Sequence, residues 1–100
     1  MAQIIWTEPA LQDLDQIADY ISLDNSEAAK KLVRNTFEQV DLLHQYPKLG
    51  KSVQELEESI YRELLVSPCR IFYRMEDENI YIVHVMRVEH LLRIDLLSSR

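Results

Sequence analysis

From Ile60 to Arg87 the chain has few ways to fold. Ile60–Val66, Cys69–Met75 and Ile80–Arg87 are runs rich in β-branched and aromatic residues. Ser67-Pro68 separates the first two, and Glu76-Asp77-Glu78-Asn79 separates the last two. Runs of this length and content, bounded by turn formers, read as three consecutive strands. In the last run Ile80, Ile82, His84 and Met86 share one face, and Tyr81, Val83, Val85 and Arg87 share the other. Both faces are largely apolar, which places that strand inside a sheet. In the middle run Ile71, Tyr73 and Met75 face one way, towards a core, while Arg70, Phe72 and Arg74 face the other.

The N-terminal half supplies the cover for such a sheet. Gln3–Trp6 reads as a short strand. Thr7 before Glu8-Pro9 is a helix start, with a hydroxyl cap, an early acid and an early proline. Leu11, Leu14, Ile17, Ala18 and Ile21 then recur at helical spacing, with Asp13, Asp15 and Asp19 off that stripe, over roughly Glu8 to Leu23. Asp24-Asn25-Ser26 breaks the pattern and offers a new cap. Ala29, Leu32, Val33, Thr36, Phe37, Val40 and Leu43 form a second stripe running to about Gln45, before Pro47 and Gly50 end it. The short link makes the two helices an antiparallel hairpin with one apolar side. Residues 47–52 read as a loop, 53–59 as a loop or short helical turn, and 88–97 as a short helix or docked tail. The expected fold is α+β, order β-α-α-β-β-β: a helical hairpin on a mainly antiparallel four-stranded sheet, forming one domain over residues 1–100.

Charge and composition narrow the chemistry. Net charge is −6, and residues 1–60 carry the whole excess. Such a balance opposes direct DNA binding, which draws on basic surface. The single glycine, Gly50, excludes a glycine-rich phosphate loop. Cys69 is the sole cysteine, so no internal disulfide forms, which fits a reducing compartment, the cytoplasm. The opening residues read as neither signal peptide nor membrane span. His44, His84 and His90 have no metal-ligand spacing with Cys69 or one another. His84 reads as a packed sheet histidine, and Trp6, Phe37 and Tyr73 as core.

Six of the eleven basic residues are arginines at or beyond position 62: Arg62, Arg70, Arg74, Arg87, Arg93 and Arg100. Arg70 and Arg74 flanking Phe72 make a carboxylate-binding surface or, equally, arginines stacked on an aromatic ring. The candidate partner-binding set is Arg70, Arg74, Arg87, His90, Arg93, Leu91 and Leu92.

The chain resembles the RelE/ParE toxin family of type II toxin–antitoxin systems along nearly its whole length. The resemblance is carried by Ile5-Trp6-Thr7-Glu8-Pro9-Ala10-Leu11-Gln12-Asp13-Leu14 and Ile17-Ala18-Asp19-Tyr20-Ile21. It continues through Ala28-Ala29, Leu43 with Tyr46-Pro47 and Leu49-Gly50, and Tyr61-Arg62-Glu63-Leu64. Arg70-Ile71-Phe72-Tyr73-Arg74 and Ile82-Val83-His84-Val85-Met86-Arg87 complete it. RelE-like members of the family cut messenger RNA on ribosomes; ParE-like members inhibit DNA gyrase without known catalysis. The resemblance implies a cognate ParD-like antitoxin, a hetero-oligomer with it, and no cofactor.

RelE-like sites use lysines on the strand matched by 60–66, an arginine opening the next strand, another arginine near the end of the last, and a C-terminal tyrosine. Arg70 matches the first arginine and Arg87 stands near the second. The lysine positions fall on Tyr61 and Glu63, and no tyrosine follows Tyr81. The resemblance therefore favours a ParE-like gyrase inhibitor with no catalytic residues. The alternative is a ribonuclease using Arg70, Arg87 and His90.

Overall fold

The computed structural model describes residues 2–56 and 58–100. The elements are β1 (Gln3–Trp6), α1 (Glu8–Ser22), α2 (Ser26–Asp41), β2 (Lys51–Ser52), β3 (Tyr61–Val66), β4 (Cys69–Glu76), β5 (Asn79–Arg87) and α3 (Ile94–Ser98). Single 3₁₀ turns follow α2, at Leu42–His44, and β2, at Gln54–Leu56. The sheet has five strands in the order β1-β5-β4-β3-β2, with β1 parallel to β5 and the other pairs antiparallel. The strand added to the expected four is β2, which pairs Lys51 with Glu63 and Ser52 with Arg62. A two-residue edge strand carries no hydrophobic alternation, so the sequence gives no sign of it. The segment 53–59 forms the second 3₁₀ turn, and Glu57 within it lies outside the described residues.

Both helices of the hairpin start as their caps dictate. Thr7 Oγ1 accepts from Ala10 N–H at 3.3 Å and donates to the Ile82 carbonyl at 2.8 Å, so one side chain caps α1 and ties it to β5. Asn25 Oδ1 accepts from Ala28 N–H at 3.0 Å and caps α2. α2 ends at Asp41, earlier than Gln45, because the chain tightens into the 3₁₀ turn before Pro47.

The sheet is apolar on both faces. Ala10, Leu14, Leu32, Val40 and Leu43 from the hairpin pack on Ile71, Tyr73, Ile80, Ile82 and Val85. On the opposite face Leu97 of α3 joins Val53, Phe72, Val83 and Met86, flanked by Leu56, Tyr61, Tyr81 and Leu92. The Tyr61 hydroxyl donates to the Leu97 carbonyl at 3.0 Å and holds α3 in place. β5 is central, between β1 and β4, as its two apolar faces require. Phe37 is at the rim rather than in the core: its ring tilts against Trp6 at 4.9 Å and stays more than a third exposed.

A bulge breaks the alternation along β5. Phe72 pairs with His84, but Tyr73 pairs with Ile82, so Val83 has no opposite residue. An extra residue of this kind shifts every later side chain to the other face. Val83 and His84 therefore both lie on the α3 side, where the His84 ring stacks on Phe72 at 5.7 Å. Val85 turns to the helices instead. The strict alternation expected for this strand holds only up to Val83.

Candidate functional site: a divided arginine set

The bulge also separates the arginines. Arg70 and Arg74 lie on the α3 side, with guanidinium carbons 4.8 Å from the Phe72 ring centroid and 5.0 Å from that of Tyr81. Arg87 pairs with Cys69, whose side chain belongs to the helix-side core, and lines a cleft with Gln16, Ile17 and Tyr20 of α1. The single surface expected to unite Arg70, Arg74 and Arg87 is thus two surfaces on opposite faces of the sheet. Of the alternative catalytic set, Arg70 and Arg87 lie on opposite faces of the sheet, and His90 shares a cleft with Arg87.

Arg70 is also occupied. Its Nε donates to Glu63 Oε2 at 2.7 Å, and Nη1 and Nη2 donate to the two oxygens of Glu55 at 2.9 and 2.8 Å. Nη2 lies 2.6 Å from Glu63 Oε2 as well, and Lys51 Nζ stands 3.7 Å from the other Glu63 oxygen. Glu63 is buried, at 6% exposure, and Arg70 nearly so. The hydrogen bonds to Glu55, and then those to Glu63, hold the Arg70 proton more firmly than usual against the opposing effect of burial. The same contact keeps the Glu55 carboxyl below its ordinary range. Both edges of the guanidinium fork are filled by the protein's own carboxylates. Glu63 stands where the resemblance places a lysine of the ribonuclease members. Arg74 is looser, with Nε 3.1 Å from the exposed Glu76.

The remaining candidates gather at the C-terminal end of β5. Arg87 Nε stands 2.7 Å from Glu89 Oε1, an exposed partner. His90 follows in the turn, with its backbone N–H on the Arg87 carbonyl at 3.1 Å, and lines two clefts of about 470 and 280 Å³ beside α1. Leu91 is 93% exposed and Arg93 is exposed beside Asp95, whereas Leu92 packs on the α3-side core. Cys69 is buried, and burial pushes its thiol up to about 11, which leaves it protonated and inert. Among the described residues, no group of three His, Cys, Asp or Glu could hold a metal ion. No helix there is long and apolar enough to cross a membrane.

One cluster escaped the sequence reading. Asp13, which lies off the apolar stripe of α1, reaches to β5 and the C-terminal residues. Its Oδ2 accepts from Arg100 Nη1 at 2.6 Å and from Val85 N–H at 3.2 Å, and lies 2.7 Å from His84 Nδ1. Arg100 Nη1 is also 2.6 Å from His84 Nδ1. The carboxylate is the stronger acceptor, so the consistent arrangement has Nδ1–H and Arg100 both donating to Asp13. The available signal was spacing: Asp13 stands three after Ala10 and four before Ile17, on the flank that packs inward. Burial alone raises the Asp13 pKa, but the bonds from His84, Arg100 and Val85 outweigh it and the net direction is down. A carboxylate depressed in this way stabilises the fold above its unfolded pKa, near ~3.9, and loses that contribution as pH falls through the folded value. Asp13→Asn is therefore expected to cost about 2 kcal/mol at neutral pH. Its deficit against the wild type should shrink through the acid range. Thermal unfolding of both proteins as a function of pH checks this, and a deficit independent of pH contradicts it.

Comparison with known proteins gives this geometry its setting. Residues 4–92 match the family model described as the ParE toxin of the type II toxin–antitoxin system parDE. Toxin RelE2 of Caulobacter vibrioides is 35% identical over 95 residues, covering 94% of this chain and all of that protein. Putative toxin Y4kP of Sinorhizobium fredii is 41% identical over 59 residues, covering 54% of this chain and 62% of its own length. Among solved structures, a chain of the chromosomal ParDE system of Pseudomonas aeruginosa superposes with a TM-score of 0.73 at 34% identity, covering 89% of this chain and 98% of that one. A chain of the RelBE2 complex of Mycobacterium tuberculosis shares the fold at a TM-score of 0.57 and 19% identity, with coverage of 86% and 96%. The order of strands and helices, the residues along them and these matches agree: the chain belongs to the ParE toxin family and is the toxin component of a type II toxin–antitoxin system.

Proposed function

We propose that this toxin inhibits DNA gyrase through protein–protein contact, acts in the cytoplasm, and is neutralised by a ParD-like antitoxin in a hetero-oligomer. The observation that carries the reading is the occupancy of Arg70. Ribonuclease chemistry at a 2′-hydroxyl needs cations free to take up phosphate charge and a proton-transfer group beside them. Arg70 is saturated by Glu55 and Glu63. Arg87 lies across the sheet and lines a cleft with His90. A net charge of −6 also opposes docking in the phosphate-dense decoding site.

The antitoxin surface we assign is the end of β5: Arg87, His90, the fully offered Leu91, and Arg93, with Leu92 anchoring the segment from beneath. Apolar side chains interleaved with cations suit an amphipathic acidic segment that folds as it binds. Induced expression in cells tests the mode of action. Filamentation with DNA damage, reversed by co-expressed antitoxin, is expected. Immediate arrest of translation with cleaved messages would sink the gyrase reading.

A further inference from the structure

The residues after β5 lie over the second face of the sheet as a strap, and little holds them there. Residues 88–91 are exposed. α3 is five residues long, and no side chain caps it at Arg93. A helix this short does not stand alone in water. Two fastenings keep it down. Leu97 is buried with Val53, Phe72, Val83 and Met86, and its carbonyl accepts from the Tyr61 hydroxyl at 3.0 Å. Beyond it, Arg100 closes over β5: Nη1 donates to Asp13 Oδ2 at 2.6 Å and to the Val83 carbonyl at 3.3 Å. The Arg100 and Asp13 side chains are only 16% and 18% exposed, so salt screens the pair weakly.

The second fastening contains its own release. The buried His84 ring brings Nδ1 to 2.7 Å from Asp13 Oδ2 and 2.6 Å from Arg100 Nη1. As a neutral ring with its proton on Nδ1, it donates to the same carboxylate as Arg100, and the cluster balances one anion against one cation. The ring also lines the cleft of about 280 Å³, through which a proton reaches it. Around it, α1 presents Asp13 and the neutral Gln16. β4 presents Phe72, and Arg70 over that ring is tied to Glu55 and Glu63. The strap presents Arg100, His90 and Arg93, the last beside Asp95. Among the described residues, Asp13 is the one carboxylate within hydrogen-bond distance of His84.

We infer that the Asp13–His84–Arg100 cluster is a pH-sensitive latch on the C-terminal strap, closed while His84 is neutral and opened when it takes a proton. Histidine is the side chain that ordinarily changes charge between pH 5 and 8. A second cation 2.6 Å from Arg100 leaves one carboxylate shared between two positive groups. With Arg100 withdrawn, protonated His84 and Asp13 form a balanced pair. The open form accommodates the proton better than the closed one, so acid favours opening. Asp13 itself stays ionised over this range, because against burial the bonds from His84, Arg100 and Val85 hold its carboxyl low. Opening frees α3 and bares Phe72, Val83 and Met86, the apolar face under Leu97. The latch needs no partner and is independent of the target the toxin acts on.

Amide exchange followed by NMR on the free toxin tests this, read as protection factors so that the intrinsic pH dependence of exchange is removed. From about pH 7.5 to about pH 5, protection of Ile94–Ser99 is expected to fall at least about tenfold, because like charges this close repel by more than that factor requires. The amides of β4 should keep theirs. His84→Asn keeps a donor towards Asp13 and does not titrate, so its α3 protection should be flat over the same range. Arg100→Gln lacks the fixed charge, so its protection should be low throughout and independent of pH. His90→Gln, altered in the same cleft, should open as the wild type does. Constant wild-type protection overturns the inference, as does a simultaneous loss across β4, which is global unfolding. Acid opening that persists in His84→Asn, or vanishes in His90→Gln, overturns it as well. If His84→Asn does not fold, Arg100→Gln decides: acid opening as steep as in the wild type contradicts the latch, and a flat profile supports it.

Discussion

Gly50→Ala is expected to be among the most damaging single substitutions in this protein, lowering stability by about 3 kcal/mol. The glycine is not needed for a left-handed turn, since no positive φ occurs there. It is needed for space. A Cβ at position 50 would meet the Glu63 carbonyl oxygen at 2.6 Å and the Tyr73 ring and hydroxyl at 2.7 Å. Neither can give way cheaply. The carbonyl is sheet backbone, and the Tyr73 ring is fully buried with its hydroxyl bonded on both sides. The methyl therefore has to push the loop off Tyr73, orphaning the hydroxyl bonds and detaching β2 from β3. Thermal unfolding should show a fall of about 12–20 °C for a domain of this size. A midpoint within a few degrees of wild type would mean that the loop is not fastened as described.

Arg70→Ala should cost a similar amount, about 3 kcal/mol. The reason is less the lost contacts than what remains. Glu63 would stay buried at 6% exposure beside Glu55, with only Lys51, 3.7 Å away and itself largely exposed, to balance two carboxylates. A buried charge stripped of its partner costs more than the pair ever contributed. Removing both members with apolar residues of similar volume, Arg70→Met with Glu63→Leu, should accordingly recover most of the loss. A double-mutant cycle read by urea unfolding supplies the coupling energy. Additive single effects would show that the two side chains are independent. Arg70 would then be free for a partner, as the sequence reading allowed.

These two residues also mark where the sequence stops being legible. The helical hairpin, its caps at Thr7 and Asn25 and the three C-terminal strands were readable because each carries a local signature: period 3.6, a hydroxyl or amide before an acid, period 2. The α3-side core was half readable, since Phe72 and Leu97 could be recognised as apolar but not as neighbours. The bulge at Val83 was invisible, because no glycine or proline marks it and a one-residue slip leaves the composition unchanged. That slip alone moves Arg87 to the helix face and dissolves the arginine surface that alternation suggests. The occupation of Arg70 was hidden for another reason. Glu55 comes from a segment with no periodicity, and its arrival at the guanidinium is a tertiary fact. Asp13 stood off the apolar stripe of α1, although its spacing from Ala10 and Ile17 placed it on the inward flank.

The central claim is that this toxin works by gripping a protein, with its arginines too scattered and too well paired for phosphodiester chemistry. The measurement that tests it most directly adds the purified toxin to DNA gyrase and, in parallel, to translating ribosomes. The account predicts loss of supercoiling that stoichiometric antitoxin restores, while messages stay intact. Messages cut on the ribosome, with supercoiling untouched and cleavage abolished by His90→Ala, would contradict it.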